Sequence, residues 1–245
     1  MRYITVKGRS IFIVSVLIIA AVVVLAASSE GAETALAETE RIIPIYCVDT
    51  KEKKVAITFD AAWGADDTSE IINILGEYNA KATFFVVGDW ARKYPDSLKA
   101  FSEAGHEIAN HSNDHTLYSK LSSKQLKEDI LLCNDAIEFA TGKMPTLLRA
   151  PSGDYTNTSE KAAKEMNMTT VQWSVDSLDW QGLEVSEIVS RVVGAADCGA
   201  IILFHNDVKN TPPALREALR QLSEKGYSFV TVSELIYHDL SLIHI

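Results

Sequence analysis

The chain has 245 residues, with 33 Asp and Glu against 23 Lys and Arg, for a formal net charge of −10 at pH 7. Its 47% apolar content is too rich for a disordered chain, and the length suits one large α/β domain or two small ones. The acidic balance excludes nucleic acid as the main partner, since a phosphate backbone needs a basic face; three cysteines (Cys47, Cys133, Cys198) without a CxxC spacing exclude a disulfide scaffold and a Cys-rich zinc module.

At the N-terminus, Arg2, Lys7 and Arg9 precede an apolar run over 11–27 interrupted only by Ser15. A basic stretch followed by an apolar one is the pattern of an export segment, and the run's length lies between a signal-peptide core and the shortest membrane span. Residues 1–27 are expected to be either a cleaved signal or an uncleaved membrane anchor, with the remainder translocated outward. Losing this segment removes three basic residues and no acidic one. The exported part then has no general attraction to anionic polymers or lipid, and recognition must be local to a site. Residues 28–53, rich in Ala, Glu, Thr and Lys, read as a tether, and 54–240 as the folded domain.

From residue 55, short apolar segments alternate with amphipathic ones. Strands are expected over 55–60, 82–88, 107–110, 147–151, 169–176, 200–205 and 229–232, and helices over 68–78, 91–104, 123–141, 159–166, 185–196, 213–225 and from 233 onward. Asp67 and Thr68 are placed to cap the first helix, and Gly142 and Gly226 to end two others. The alternation implies a parallel sheet with right-handed crossovers, and seven units in about 190 residues imply a barrel-like closure slightly short of eight-fold.

The unusual polar residues follow the strand ends. Asp60 ends the first strand, His111 and His115 follow the third, and Arg149 lies in the fourth, with Ser152 and Tyr155 after it. Asp176, Asp179 and Trp180 end or follow the fifth strand, and Leu203 and His205 end the sixth. Each has an ordinary explanation taken singly: Asp60 as a turn or cap residue, the two histidines as a surface pair, His205 as a hydrogen-bonded core histidine. In a parallel barrel, however, every strand C-terminus opens on the face that carries the site, so five segments deliver acid, base and metal-ligand groups to one rim. On a helical turn, the spacing of His111 and His115 places both imidazoles on one side, and imidazole with oxygen ligands suits Zn, Co, Ni or Fe rather than Ca or Mg. An arginine within Leu-Leu-Arg-Ala-Pro needs a carboxylate partner if buried.

Together these segments resemble the polysaccharide deacetylase family, carbohydrate esterase family 4 or NodB-homology domain, over 54–235. Thr-Phe-Asp-Ala (58–61) looks like its first motif, usually Thr-Phe-Asp-Asp; His-Ser-Asn-Asp-His (111–115) fits the second and Arg-Ala-Pro-Ser-Gly-Asp-Tyr (149–155) the third. Asp-Ser-Leu-Asp-Trp (176–180) fits the fourth and Leu-Phe-His (203–205) the fifth. The variant Thr-Phe-Asp-Ala-Ala-Trp-Gly behind a short N-terminal anchor looks most like the PdaB-like sporulation subgroup. The resemblance implies a distorted (β/α)7 barrel and metal-assisted hydrolysis of N-acetyl groups on peptidoglycan or a related amino-sugar polymer, at the outer face of the membrane or in the spore and cell-wall space. It implies Asp60 as general base, His111 and His115 as ligands of a divalent metal (Zn first, Co or Ni as alternatives), and Arg149 as the group that holds Asp60 ionised. It implies His205 as general acid paired with Asp179, a backbone N–H near Ser152 for the oxyanion, and Tyr155, Asp176, Trp180 and Leu203 around the acetyl and sugar pocket. A monomer is expected, with glycan as partner and the membrane as a second one if the N-terminal segment stays uncleaved. One departure stands out: the family's third metal ligand, the second Asp of the first motif, is Ala61 here, which weakens the expected metal site unless Asp66 or Asp67 replaces it. This leaves two alternatives, a catalytically weak carbohydrate-binding or spore-assembly protein and an O-acetyl esterase.

Overall fold

A computed structural model describes residues 40–236; the expected export segment, the first part of the tether and residues 237–240 lie outside the described residues. Among the described residues, no helix is long and apolar enough to cross a membrane.

The centre of the fold is β1 (Lys54–Ala61), buried from Val55 to Ala61. It is flanked in parallel by β2 (Ala82–Val86) and β7 (Ile201–His205), both buried throughout. Strands covered on both faces read as continuous apolar runs, which is why these three were legible. Outward from β2 come β3 (Glu107–Asn110), β4 (Leu147–Leu148) and β5 (Thr169–Thr170); outward from β7 comes β6 (Val175–Asp176), and β8 (Ser228–Phe229) pairs with the start of β1. Every pairing among these eight strands is parallel. The helices that cover the sheet are α1 (Thr68–Glu77), α2 (Gly88–Lys93), α3 (Pro95–Glu103), α4 (Ser123–Thr141), α5 (Asn157–Glu165), α6 (Val185–Ala195), α7 (Thr211–Glu224) and α8 (Val232–Ile236). Between sheet and helices lies an aromatic stack, Phe59 on Phe84 at 4.8 Å and Phe84 on Phe101 at 3.8 Å between ring centroids.

The expected strand over 169–176 is two strands at opposite edges of the sheet, so the expected barrel is a curled, open one. The segment read as a tether fills part of this seam. Ile45 pairs with Val171, its N–H donating to the Thr170 carbonyl, and Cys47 pairs antiparallel with Ala200 next to β7. Residues 45–48 thus belong to the folded body, because the exposed strand edges need backbone partners. The helix expected over 91–104 is broken into α2 and α3 at Tyr94, since Pro95 excludes the preceding residue from helical geometry. Asp67 precedes α1 but makes no side-chain cap bond; its carboxylate accepts the Asp207 N–H instead. Gly142 ends α4 in the left-handed conformation, as expected.

Candidate active site

The register of the central strands builds the site. Asp60 on β1 lies directly opposite His205 on β7, both at the C-terminal end of the sheet. Arg149, fully buried after β4, reaches across with Nη1 donating to Asp60 Oδ1 at 2.7 Å. Its Nη2 donates to Thr58 Oγ1 and to the Gln172 carbonyl, both at 3.0 Å, and the guanidinium lies 3.9 Å from the centre of the Phe85 ring. Burial alone would raise the Asp60 carboxyl; His111, Arg149 and His205 outweigh it and hold the group below its usual value, so it is ionised near neutral pH.

His205 has the opposite bias. Its Nδ1 lies 2.7 Å from Asp179 Oδ1, and Asp179 is completely buried. The same carboxylate accepts the backbone N–H of His205 at 2.8 Å, the N–H of Trp180 at 3.0 Å and the Thr211 hydroxyl at 2.6 Å. Burial disfavours a charged His205, but the Asp179 hydrogen bond and the fields of Asp60, Asp179 and Asp176 prevail and raise its pKa. With Nδ1 committed to Asp179, Nε2 is the nitrogen left for a substrate.

His111 and His115 do not meet on a helical turn. Residues 111–115 form a loop in which Ser112 and His115 adopt positive φ of 69° and 63°. Three side chains pin this loop: Asn110 Oδ1 accepts the Ser112 N–H, Asp129 Oδ2 the Asn113 N–H and Ser112 Oγ the His115 N–H. The loop brings the two rings to 5.0 Å apart between centroids. Burial lowers the His111 pKa to about 4, and it also lowers that of His115, so both are neutral.

The chemistry of these donors tests the implied metal. His111 Nδ1 lies 3.0 Å from the Arg149 carbonyl, which only accepts, so Nδ1 carries the hydrogen and Nε2 the lone pair. That lone pair lies 3.3 Å from Asp60 Oδ2, itself an acceptor. Two acceptors face to face require a cation or a proton between them, and in this respect the imidazoles fit a borderline metal ion. Among the described residues a third protein ligand is missing. Ala61 is fully buried in the apolar core, Asp66 and Asp67 are not among the residues lining the cavity, and Asp67 is tied to Asp207 with its pKa raised by burial to about 6. Among the described residues, no group of three or more His, Cys, Asp or Glu is arranged to hold a metal.

A cavity of about 310 Å³ joins Asp60, His111, His115, Ser152, Asp176, Trp180, Leu203 and His205. Of the sequence-derived candidates, Arg149 and Asp179 stand behind this lining and hold Asp60 and His205. Tyr155 is not among the lining residues: it packs against the cluster around Tyr118 and Leu126, and its hydroxyl accepts from Tyr46 at 3.4 Å. The cavity also takes in Ala62, Trp63 and Trp173, none of which the sequence reading singled out. The signal for Trp63 was present, an indole three residues beyond Asp60 on the loop leaving β1. Thr211 gave no signal, because only the fold brings it to Asp179.

The polysaccharide deacetylase family pattern matches residues 48–171. A peptidoglycan-N-acetylglucosamine deacetylase of Bacillus cereus is 39% identical, over 77% of this chain and 91% of its own length. Peptidoglycan-N-acetylglucosamine deacetylase PgdA of Listeria monocytogenes is 34% identical over 78% of this chain and 40% of its own. Several of the curated relatives are longer, and this chain spans 40 to 60% of their length. Among solved structures, a carbohydrate esterase family 4 pseudoenzyme from Bacillus anthracis superposes with a TM-score of 0.76 at 33% identity, covering 79% of this chain and 68% of that one. A mutant of the same protein with restored enzymatic activity matches at 34%, also with a TM-score of 0.76, over 79% of this chain and 71% of that one. With the five motifs gathered on one rim of a curled parallel sheet, the chain belongs to the polysaccharide deacetylase family, carbohydrate esterase family 4.

Proposed function

We propose that this protein is a polysaccharide N-deacetylase that hydrolyses N-acetyl groups of peptidoglycan or a related amino-sugar polymer. The observation that carries this reading is the convergence on one cavity of an ionised carboxylate, a histidine biased toward its charged form and two neutral imidazoles. Amide hydrolysis needs an activated water, a stabilised oxyanion and a protonated leaving group. Asp60, kept ionised by Arg149, takes a proton from the attacking water. His205, kept protonated by Asp179, gives one from Nε2 to the leaving amine, so that acetate and a free amine result. Environments that push a base and an acid apart are the means by which one site holds both at the same pH. A backbone N–H near Ser152, which lines the cavity at a φ of 54°, serves as the oxyanion donor in this reading. A divalent metal held by His111 and His115, Zn²⁺ first and Co²⁺ or Ni²⁺ as alternatives, would supply Lewis-acid polarisation of the acetyl carbonyl and acidify a water.

On the same reading residues 1–27 export the chain to the outer face of the membrane or to the spore and cell-wall space, where the domain ending near residue 240 acts as a monomer during sporulation. The basic-then-apolar N-terminus supports the export, and the peptidoglycan substrates of the named relatives support the cell-wall location.

The deciding experiment measures metal content and acetate release on one sample of the full chain, stripped and then supplied with Zn²⁺ or Co²⁺, using N-acetylated peptidoglycan and chitooligosaccharides. Metal-dependent release that disappears in His111→Ala is the expected result. Ala61→Asp should then tighten metal binding by at least the about 10–100-fold that even outer-shell partners contribute. Release from O-acetylated substrates alone would make the protein an esterase.

A second reading has its own support. Ala61 is buried and offers no ligand atom, and a pseudoenzyme stands among the structural neighbours. A glycan-binding protein without hydrolytic turnover would bind chitooligosaccharides, release no acetate at any metal concentration, and gain activity in Ala61→Asp.

The His205–Asp179 pair also sets a pH dependence. His205 must be protonated to act, and its raised pKa places the alkaline limb of kcat/KM above the ordinary histidine value. In Asp179→Asn the hydrogen bond to a charged partner is lost while burial remains, so the limb should move to lower pH. The same sign applies to stability: the contribution of this pair is fully present below the unfolded-state histidine value and is lost as pH rises through the raised folded value. An unmoved alkaline limb in Asp179→Asn would remove His205 from the acid role.

A further inference from the structure

Trp63 is 53% exposed, on a loop that is anchored at the residue after it. The carbonyl of the next residue, Gly64, accepts two hydrogen bonds from buried side chains, Trp90 Nε1 at 2.8 Å and Asn206 Nδ2 at 2.6 Å. A Cβ on Gly64 would fall 2.1 Å from Asp207 Oδ2, so the close approach of this loop to Asp207 depends on glycine. The indole is thus an exposed apolar surface on an anchored loop.

Its position is specific. The Trp63 ring centroid lies 5.8 Å from that of His205 and 6.4 Å from that of His115, so the indole borders the space between these two histidines. A sugar whose N-acetyl group reaches that space can lay its ring against the indole. Pyranose faces carry C–H bonds, and an aromatic plate gains area burial and a favourable electrostatic contact from them, while its rigidity keeps the ordering cost low.

We propose that Trp63 is the stacking platform for the acetylated sugar unit itself, so that the site recognises the pyranose ring of an N-acetylhexosamine and not the acetamide alone. This rests on the deacetylase reading for the identity of the ligand, but its test reads binding and does not require turnover. Ligand-observed NMR titrations with N-acetylglucosamine and with its β-1,4-linked tetramer should be run on the full chain and on Trp63→Ala, Trp63→Phe and Phe139→Ala. Phe139, 91% exposed on α4 and outside the cavity lining, serves as the control. Trp63→Ala should weaken both ligands by the same factor, about tenfold, which is what one lost aromatic contact corresponds to. Trp63→Phe should recover most of the loss, and Phe139→Ala should bind as the parent does.

Unchanged affinity in Trp63→Ala overturns the proposal, as does a loss confined to the tetramer, which would assign the indole to a neighbouring sugar. Trp63-dependent binding without acetate release from the parent would sink the hydrolytic reading and leave this one standing. Acetate release with an unaltered KM in Trp63→Ala would do the reverse.

Discussion

Exchange of Asp60 for Asn is expected to lower kcat for acetate release by about 10²–10⁴-fold, the range that a positioned general base contributes. The amide keeps the volume and one acceptor oxygen, so Arg149 Nη1 retains a partner and the cavity its shape; what disappears is the basicity. Chitooligosaccharide affinity should therefore change far less than turnover. The readout is acetate release under saturating substrate together with a direct binding titration. Undiminished turnover would exclude Asp60 as the base, and loss of binding in step with turnover would point to a structural role instead.

Arg149→Met should produce the largest loss of stability of any change at the site, about 3–5 kcal/mol, the cost of breaking a buried ion pair from one side. Arg149 is fully buried, and removing it strands the Asp60 carboxylate and leaves Thr58 Oγ1 and the Gln172 carbonyl without their donor. The measurement is urea unfolding, read as a lower midpoint at unchanged slope. The paired exchange Asp60→Asn with Arg149→Met provides the control. With the stranded charge neutralised, part of the lost stability should return, while activity should not. Equal destabilisation in the single and double variants would mean that guanidinium packing between Phe85 and Trp173, and not the ion pair, holds this part of the site.

On the deacetylase reading, two separate buried units explain how the proposed base Asp60 and the proposed acid His205 persist beside Ala61. Asp60 and Arg149 form one buried unit with Thr58 and Gln172, and His205 forms another with Asp179 and Thr211. Each is held by the strands and loops around it, so neither requires a carboxylate at position 61. Ala61 is accommodated as a core residue, its carbonyl accepting the Val87 N–H at 3.0 Å.

Much of this protein was legible in its sequence. The central strands, the amphipathic helices, the caps at Gly142 and Gly226 and the placement of polar residues at strand ends follow from local periodicity and turn chemistry, which act over a few residues. Five ordered motifs did the same for the family. Tertiary structure decided the rest. The split of the segment over 169–176 between opposite sheet edges, and the recruitment of residues 45–48 into the seam, depend on which backbone edges lack partners, and no local pattern encodes that. The approach of His111 to His115 came from a loop with two positive-φ residues pinned by Asn110, Asp129 and Ser112, where spacing alone pointed to a helix. Tyr155 lies outside the pocket lining because it packs against an apolar cluster, and Trp63 enters it on a loop that Trp90 and Asn206 anchor. Chemical identity at a strand end is written in the chain; which side chains meet across a cavity is set by long-range packing and hydrogen bonding, which exist only once the sheet has formed.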